Sequence, residues 1–318
     1  MRYLVTGCAG FIGSHLTERL LARGHTVVGY DNFSTGQEEF LAAAFRTRNF
    51  TLVRADVLDF AALSQSMRNV EFVFHLAGNA DMRFGTLHPA KDLEQNTIAT
   101  NTVLQAMRET GVDQIAFASS GSVYGDATTI PTPEDAPFPV QTSLYAASKL
   151  AAEGLIAAYC AGFGLRAWIF RFVSMLGERY THGHIFDFYL QLRRDPSKLC
   201  VLGNGRQRKS YLYVHDCIDA MLIVINQPGE GANIYNLGTE AFCEVNESID
   251  WICSTLNVQP VIEYSGGERG WTGDNPNLLL DTSKIRGTGW LPKVTIREGV
   301  IKTVDYLRTH PHLLAARQ

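Results

Sequence analysis

The sequence predicts an α/β protein built on a doubly wound parallel sheet, with a second, smaller lobe. Three observations indicate this class. Six short apolar strands alternate with helical segments between Arg2 and Phe172, an order that requires crossover connections. The strand Glu71–His75 (EFVFH) is largely apolar, as burial on both faces of a parallel sheet demands. After Val173 the alternation stops and glycine turns interrupt short segments, which indicates a separate lobe.

Each element of the sheet has its own local signal. The expected strands, all short and apolar, are Arg2–Thr6, Thr26–Tyr30, Phe50–Arg54, Glu71–His75, Gln114–Ala118 and Leu165–Phe172. The expected helices, which are periodic or rich in alanine, are Ser14–Arg23, Gly36–Arg48, Phe60–Arg68, Leu93–Thr110 and Ser143–Gly162. Glycines separate the first strand from the first helix, and Gly111 ends the fourth helix as a C-cap.

The smaller lobe is expected to consist of separate stretches of chain. Tyr211–Val214 resembles an isolated strand, and Ile234–Leu237 is suited to return to the main sheet. We therefore assign residues 1–172 and about 210–238 to a nucleotide-binding domain, and about 173–209 and 239–318 to the lobe. Ligands of open α/β sheets lie beyond the carboxyl ends of the strands, so the lobe is expected to bind substrate.

Composition narrows the function classes. The 318 residues are 46% hydrophobic and 19% charged, with a formal net charge of −4, so no nucleic-acid partner is expected. No apolar run approaches the roughly 20 residues of a membrane span. The six cysteines contain no C-x-x-C pair, which indicates free thiols in a reducing cytoplasm. His182 and His184 lack a third nearby ligand, so no metal is expected.

A glycine-rich turn, Gly7–Gly13 (GCAGFIG), links the first strand to the first helix. Gly7 allows the tight turn, Gly10 lets backbone approach a pyrophosphate, and Gly13 lets the helix pack on the strand. N–H groups at the helix N-terminus would then bind the phosphates. Asp31 ends the second strand, where a carboxylate suits an adenosine ribose and repels a 2′-phosphate, so we expect NAD rather than NADP. The alternative is an ordinary glycine turn with Asp31 as a cap.

Ser120, Tyr145 and Lys149 are the candidate catalytic residues. Ser120 follows the fifth strand, and Tyr145 and Lys149 are four residues apart on the next helix, so they share one face. The Lys149 ammonium, together with a positively charged nicotinamide ring, is expected to lower the tyrosine pKa from its usual value of about 10. A fall of roughly two or three units would make Tyr145 a base near neutral pH. Ser120 would hydrogen-bond the reacting oxygen, and Lys149 would also hold the nicotinamide ribose. An exposed helical pair is the alternative for Tyr145 and Lys149.

Several motifs together resemble the extended short-chain dehydrogenase/reductases. They are Thr6-Gly7-x-x-Gly10-Phe11-Ile12-Gly13, Asp31-Asn32-x-Ser34-Thr35-Gly36, Asp56-Val57, His75-Leu76-Ala77, Ser120-x-x-Val123-Tyr124-Gly125 and Tyr145-x-x-Ser148-Lys149. The resemblance spans nearly the whole chain and implies a Rossmann-type sheet. Within this group the chain looks most like nucleotide-sugar 4-epimerases of the UDP-glucose/UDP-galactose type, on the segments Thr181-His182-Gly183, Lys209-Ser210-Tyr211 and Arg269-Gly270-Trp271-x-Gly273-Asp274.

The resemblance implies tightly held NAD and a set of binding residues. Asp31 and Asn32 would lie near the adenosine ribose, Asp56 and Val57 at the adenine, and Ala77 near the pyrophosphate or nicotinamide ribose. The remaining cofactor positions implied by the motifs are Gly7, Gly10, Phe11, Ile12, Gly13, Ser34, Gly36, Leu76, Asn96, Tyr145 and Lys149. The substrate positions are Ser122, Ser174, Lys209 and Arg269, with Lys209 and Arg269 suited to the diphosphate of a UDP-sugar.

The implied reaction is NAD-dependent epimerisation at C4 of a UDP-hexose. Tyr145 would remove the proton of the 4-hydroxyl while hydride leaves C4 for NAD, and hydride would return to the opposite face of a transient 4-keto sugar. Such a site binds the nucleotide firmly and the hexose loosely, so that the intermediate is retained and still rotates. The resemblance also implies a homodimer formed through Leu93–Met107 and Leu144–Ile156.

Departures from the family pattern leave the sugar open. Relatives of this type usually carry Asn and then Gly-Pro-Arg after the sixth strand, where this chain has Ser174 and the segment Met175–Arg179. Leu278 stands where some epimerases have a bulky Tyr that excludes 2-acetamido sugars, so UDP-N-acetylhexosamines are candidate substrates.

Three rival functions follow from the same motifs. A nucleotide-sugar 4,6-dehydratase normally has an Asp-Glu pair directly after the Ser/Thr, where this chain has Gly121 and Ser122. A UDP-glucuronate-directed epimerase or decarboxylase would use the altered loop near Ser174 and Arg179 to bind a carboxylate. A non-catalytic, dinucleotide-sensing regulatory protein is the rival from another class; such proteins often lose the Tyr and Lys that this chain keeps.

Overall fold

The computed structural model describes residues 1–138, 140–271 and 273–313, without the side chains of Arg83 and Phe84. Residues 139, 272 and 314–318, which fall within the predicted domain ranges, lie outside the described residues. The chain divides into two compact units. Unit 1 comprises residues Met1–Val123, Leu144–Arg171 and Met221–Tyr235, and unit 2 comprises Tyr124–Ser143, Phe172–Ala220 and the remainder from Asn236.

Fourteen strands are present in the described part of the chain. They are β1 (Arg2–Thr6), β2 (Thr26–Asp31), β3 (Phe50–Arg54), β4 (Phe72–His75), β5 (Gln114–Ser120), β6 (Arg166–Phe172), β7 (Ser174–Leu176), β8 (Lys198–Val201), β9 (Arg208–Lys209), β10 (Tyr211–Tyr213), β11 (Ala232–Leu237), β12 (Cys243–Glu244), β13 (Val261–Tyr264) and β14 (Asn277–Leu278). Seven of them form the central sheet in the order β11-β6-β5-β4-β1-β2-β3. β1 pairs in parallel with both β2 and β4, which confirms the predicted doubly wound parallel sheet. The return of the chain to this sheet through β11 was also predicted correctly.

The α-helices of the described residues are α1 (Phe11–Ala22), α2 (Phe60–Ser66), α3 (Met82–Leu87), α4 (Pro89–Asp92), α5 (Ala99–Thr110), α6 (Leu144–Phe163), α7 (His184–Arg194), α8 (Val214–Val224), α9 (Val245–Leu256), α10 (Ser283–Arg286) and α11 (Ile296–Thr309). In this part of the chain every helix is too short or too polar to cross a membrane.

Two helix predictions were wrong in detail. The expected helix Gly36–Arg48 is two 3₁₀ turns, Glu38–Leu41 and Ala44–Arg46. Its backbone bonds span three residues rather than four, as from the Phe40 N–H to the Gln37 carbonyl at 3.1 Å, while the side chains of Phe40 and Leu41 are buried. The expected helix from Leu93 begins with a π-helical turn, Leu93–Ile98, and becomes α-helical only at Ala99. The π turn buries the side chain of Asn96, a polar residue that helical periodicity alone does not place inward.

The core of unit 1 lies on the sheet faces. Leu4, Val73, Phe117 and Ile169 come from four neighbouring strands, and each is almost fully buried. The apolar side of α5 and residues of α6 such as Ile156 cover them. Burial of apolar side chains such as these is the main contribution to the stability of unit 1, at about 25 cal/mol per Å² of apolar surface.

Unit 2 contains three small sheets: β7 with β10, β8 with β13, and β12-β9-β14. Its bounds differ from the predicted lobe chiefly because residues 124–143 and 210–220 belong to it, and also by Phe172 and residues 236–238. The Thr132 N–H donates to the carbonyl of Leu279, which ties the first segment to unit 2. Trp290 Nε1 donates to the Asp216 carbonyl at 3.0 Å, which ties the second. Both ties are contacts distant in sequence that no local pattern predicts.

Candidate active site

The glycine turn between β1 and α1 is closed by its own backbone. Gly7 has a φ of +71°, and its carbonyl accepts the Gly10 N–H at 3.1 Å. A Cβ on Gly13 would lie 2.0 Å from the Gly7 oxygen, so α1 packs closer to the turn than any side chain permits. Gly10 is the N-cap of α1 and has no side chain with which to cap it. The positive end of α1 is therefore suited to an anion.

Asp31 joins the end of β2 to this turn. Its Oδ2 accepts the Ala9 N–H at 2.9 Å and its Oδ1 accepts the Phe33 N–H at 2.8 Å. Burial raises the pKa of the carboxyl, and these two backbone donors oppose that shift. A Cβ on Gly36 would lie 2.9 Å from Oδ1, so the predicted glycine borders the same carboxylate. Asp31 thus holds the glycine turn to the end of β2.

The predicted adenine residues form a polar cluster beside Asp31. Asn32 Nδ2 donates to Asp56 Oδ2 at 2.8 Å, and Asn32 Oδ1 accepts the Ser34 N–H at 2.9 Å. Asp56 Oδ1 accepts the Leu58 N–H at 2.9 Å, while Val57 is buried. The structure therefore brings the residues after β2 and the residues after β3 together at one edge of the sheet.

Residues after β4 lie against the first strand. Thr6 Oγ1 accepts the Ala77 N–H at 3.2 Å, and the Thr6 carbonyl accepts the Leu76 N–H at the same distance. His75, for which the sequence predicted no separate role, lies 2.9 Å from Thr6 Oγ1 and 3.1 Å from Thr100 Oγ1 through its two ring nitrogens. Burial lowers the pKa of His75 to about 3, so the ring is neutral and links β4 to the helix behind it.

The three candidate catalytic residues lie together in unit 1. Ser120 Oγ lies 3.1 Å from Ser122 Oγ and accepts the Ser122 N–H at the same distance, and Ser120 is the side chain that lowers the pKa of Tyr145. Lys149, one turn after Tyr145 on α6, is 5% exposed, and its ammonium lies 5.9 Å from the centre of the Tyr145 ring. Lys149 Nζ donates to the carbonyl of Ala118 at 3.0 Å.

Without dinucleotide the pKa of Tyr145 is raised, and the predicted lowering, which also requires the nicotinamide ring, stays a prediction. Burial raises the pKa of Tyr145 to about 12, the hydrogen bond from Ser120 lowers it, and the negative charge of Asp92 raises it further. Burial also lowers the pKa of Lys149 to about 8. The ammonium points to the Ala118 carbonyl rather than to the phenol, so it does not offset the cost of burying a phenolate.

A buried ion pair that the sequence did not reveal lies behind these residues. Glu153 continues the stripe of Tyr145 and Lys149 along α6, and its carboxylate binds Arg171 of β6, with Nη2 and Oε2 2.7 Å apart. The Ser119 hydroxyl donates to the same carboxylate. The i, i+4 spacing from Lys149 to Glu153 was visible in the sequence, but the partner on β6 was not.

The predicted substrate residues of unit 2 are only partly brought together. Lys209 Nζ binds Asp274 Oδ1 at 2.6 Å, and Arg269 Nη1 donates to the Asp274 carbonyl at 2.6 Å. Arg269 Nη2 also binds Asp126 at 2.9 Å. Asp274, which is 2% exposed, therefore contacts both Lys209 and Arg269. The sequence did not predict this role. Ser174 lies on β7, exposed, and pairs with Tyr211 of β10.

Comparison with known proteins bears directly on this arrangement. The sequence model of the NAD dependent epimerase/dehydratase family matches residues 3–238. The chain belongs to this family. It is 34% identical to a UDP-glucose 4-epimerase of Mycolicibacterium smegmatis, over 97% of this chain and 99% of that protein. As a family member, it is an extended short-chain dehydrogenase/reductase of the nucleotide-sugar epimerase kind, and its cofactor is NAD.

Other relatives extend the range of reactions. UDP-glucuronic acid decarboxylase 2 of Arabidopsis thaliana is 31% identical over 94% of this chain and 66% of that protein. A crystal structure of a UDP-galactose 4-epimerase is 36% identical, covers 98% of this chain and 99% of its own, and superposes with a TM-score of 0.88. The family assignment therefore supports enzymatic activity and the Rossmann-type fold, and it leaves more than one UDP-sugar reaction open.

The residues of unit 1 fit the family cofactor. Gly10 places no side chain over the N-terminus of α1. A Cβ on Gly78 would lie 2.6 Å from Asn96 Oδ1 and 3.3 Å from Lys149 Nζ. Asn96 Oδ1 is buried and has no hydrogen-bond partner among the described residues. An unpaired buried acceptor and a glycine-lined backbone are what a bound polar molecule would satisfy.

Proposed function

We propose that the protein epimerises a UDP-hexose at C4 through a transient 4-keto sugar. The observation that carries this proposal is the placement of Tyr145 and Lys149 one helical turn apart, with the ammonium 5.9 Å from the phenol ring and anchored to the strand that leads to Ser120, in the same unit as the glycine turn. The 34% identity to a UDP-glucose 4-epimerase over almost the full length supports it. Bound NAD would supply the hydride acceptor and donor.

The chain's own residues have separate roles in this proposal. Tyr145 Oη takes the proton of the sugar 4-hydroxyl, and Ser120 Oγ, already hydrogen-bonded to that phenol, orients the same oxygen. Lys149 holds a ribose hydroxyl and offers positive charge near the phenol. Gly7, Gly10 and Gly13 shape the pyrophosphate end, where α1 begins.

Substrate contacts are proposed for Ser122, Ser174, Lys209 and Arg269. Lys209 is 15% exposed in its ion pair with Asp274, whereas Arg269 is 42% exposed. Arg269 is thus the cation with more surface for a diphosphate, and a guanidinium binds phosphate in a bidentate manner. Replacing Lys209 with Met should raise KM for the UDP-sugar and also release Asp274 as an unpaired buried charge.

The rival reactions have less support in the site. A 4,6-dehydratase would need acid–base groups after Ser120, and Gly121 and Ser122 offer none. A UDP-glucuronate decarboxylase or epimerase is the second candidate, favoured by the 31% identical plant decarboxylase. A regulatory protein is disfavoured by the hydrogen bond between Ser120 and Tyr145, a contact that a purely sensing protein does not require.

A panel of nucleotide sugars tests the proposal. Purified protein is incubated with UDP-glucose, UDP-galactose, their N-acetyl forms and UDP-glucuronate, and the products are identified by NMR. We expect interconversion of the C4 epimers without release of CO₂, and turnover of the N-acetyl sugars because Leu278 stands at the predicted exclusion position. Evolution of CO₂ or a 4-keto-6-deoxy product would replace the proposal with one of its rivals.

A cytoplasmic homodimer is proposed from the exposed apolar side chains of two elements. Leu93 and Ile98 of the π turn are 53% and 44% exposed, and Leu144 of α6 is 47% exposed. Exposed apolar side chains of this size favour burial against a second copy. Light scattering should give twice the 35.2 kDa chain mass, and Ile98→Lys should shift it toward the monomer.

A further inference from the structure

Asp92 is a buried carboxyl group that no sequence motif indicated. It is the last residue of α4, is 1% exposed, and immediately precedes the π turn Leu93–Ile98. π turns within helices are rare and frequently occur at functional sites.

Only one oxygen of the Asp92 carboxylate is well satisfied. Oδ1 accepts a 2.8 Å hydrogen bond from Asn79 Nδ2. Oδ2 is buried without a hydrogen-bond partner among the described residues. A Cβ on Gly85 would lie 2.0 Å from Oδ2, so the carboxylate occupies space that only a glycine leaves open. A half-satisfied buried carboxylate costs free energy, and its retention needs a compensating interaction.

The amide of Asn96 lies between Asp92 and Lys149. Asn96 Nδ2 is 3.5 Å from Asp92 Oδ1 and donates to Ser148 Oγ at 2.9 Å. Its Oδ1 and Lys149 Nζ both border Gly78, at 2.6 Å and 3.3 Å from the position of a Cβ there. The negative carboxylate and the ammonium are therefore separated by a single amide group.

The other carboxylate near Lys149 is already neutralised. Glu153 forms a buried salt bridge with Arg171, whose side chain is 1% exposed. Asp92, by contrast, forms no salt bridge with any residue that the structure describes. The remaining titratable groups that face Lys149 or Asp92 are His75 of β4, Tyr145 of α6 and Asp81, and none of them is a cation at neutral pH. Of the two carboxylates that act on Lys149, Asp92 is therefore the one without a salt bridge among the described residues.

We propose that Asp92 is the counter-charge of Lys149, a positioning residue that keeps the ammonium protonated in its buried site. Burial alone lowers the pKa of Lys149, and both Asp92 and Glu153 oppose that fall. Removal of the Asp92 charge should therefore lower the pKa of Lys149 further, so that the ammonium loses its proton nearer to physiological pH. The inference rests on the proposed function only for the use that the enzyme makes of the charged lysine.

The test is a direct titration of Lys149 in the absence of sugar. The chain has seven lysines, so ¹³Cε-lysine labelling gives few signals, and Lys149→Met identifies the one of interest. We expect Asp92→Asn to lower the Lys149 midpoint by about one pH unit, the low end for the loss of a nearby opposite charge. Glu94→Gln is the matched control, because Glu94 is two residues away and 43% exposed, and it should leave the midpoint unchanged.

An unchanged midpoint in Asp92→Asn would overturn the proposal. If the Asp92→Asn protein does not fold, Asp92→Ser is the second variant, and it should lower the Lys149 midpoint by the same amount. Asp92→Glu, which keeps the charge, should restore the midpoint. Because no sugar is present, the result is independent of the substrate panel. A shifted Lys149 together with failure of every UDP-sugar would support the counter-charge and remove the proposed reaction.

Discussion

The ammonium of Lys149 donates a 3.0 Å hydrogen bond to the carbonyl oxygen of Ala118. This contact fixes α6 to β5 two residues before Ser120, and Tyr145 lies one turn earlier on the same helix. The relative position of phenol and serine is therefore set by a helix–strand contact, and not by the 23 residues that connect the two elements in sequence.

Replacement of Tyr145 by Phe should remove the proposed base and leave the fold intact. General acid–base catalysis contributes about 10²–10⁴-fold, so we expect turnover to fall by at least about 10²-fold. Bound NAD, measured after denaturation, should be unchanged. Tyr159→Phe on the same helix is the control and should keep full activity; equal loss in both variants would point to a damaged helix.

The rate of sugar oxidation should rise with pH. The pKa of Tyr145 is about 12 without dinucleotide, so below it the phenolate fraction grows about tenfold per pH unit. Bound NAD, with its positively charged ring, should lower that value. A single-turnover rate profile, paired with an ultraviolet titration of the phenol with and without NAD, measures both effects. A rate that is flat from about pH 6 to 8 with the phenol still protonated would exclude Tyr145 as the base.

Gly13→Ala should open the glycine turn. The added Cβ would lie 2.0 Å from the Gly7 oxygen, and such overpacking costs about 1–3 kcal/mol. We expect reduced NAD content and a lower unfolding temperature. Gly154→Ala is the control: it lies within α6 with nothing inside 4 Å of the new Cβ, so it should stabilise the protein by up to about 1 kcal/mol.

Arg171→Ala should be strongly destabilising, because it leaves the Glu153 carboxylate buried and unpaired. Loss of one partner of a buried pair costs about 3–5 kcal/mol. Arg166 lies on the same strand, and its salt bridge to Asp113 has side chains 42% and 58% exposed. Arg166→Ala should therefore cost less than about 1 kcal/mol in denaturant unfolding. Similar losses in the two variants would contradict the role of burial.

Stability should fall in acid through His75. Its folded pKa of about 3 lies below the usual value of about 6.5, so the unfolded chain binds a proton that the native state does not. The contribution of His75 is complete above pH ~6.5 and is lost at about 1.4 kcal/mol per pH unit toward pH ~3. His75→Gln should reduce the slope of the unfolding free energy against pH, measured in urea. The control His88→Gln, at an exposed position, should leave that slope unchanged.

Local patterns were enough to predict the elements that we propose to bind the cofactor. The glycine turn, Asp31 and the Tyr145–Lys149 pair were predicted from spacing, because glycine conformations and i, i+4 neighbours depend on residues close in sequence. The predicted helix Gly36–Arg48 failed for the converse reason: Phe40, Leu41 and Ala44 are buried against residues distant in sequence, in two 3₁₀ turns rather than one α-helix.

By itself, the sequence determined the strand–helix alternation, the glycine turn between β1 and α1, and the identity of the candidate catalytic groups. Only the tertiary structure decided that Glu153 pairs with Arg171, that Asp274 holds Lys209, and that Asp92 lies behind Asn96. It also decided that burial raises the pKa of Tyr145 to about 12 in the protein without dinucleotide. The physical reason is that burial and electrostatic partners are properties of packed side chains, which come together only when distant segments fold against each other.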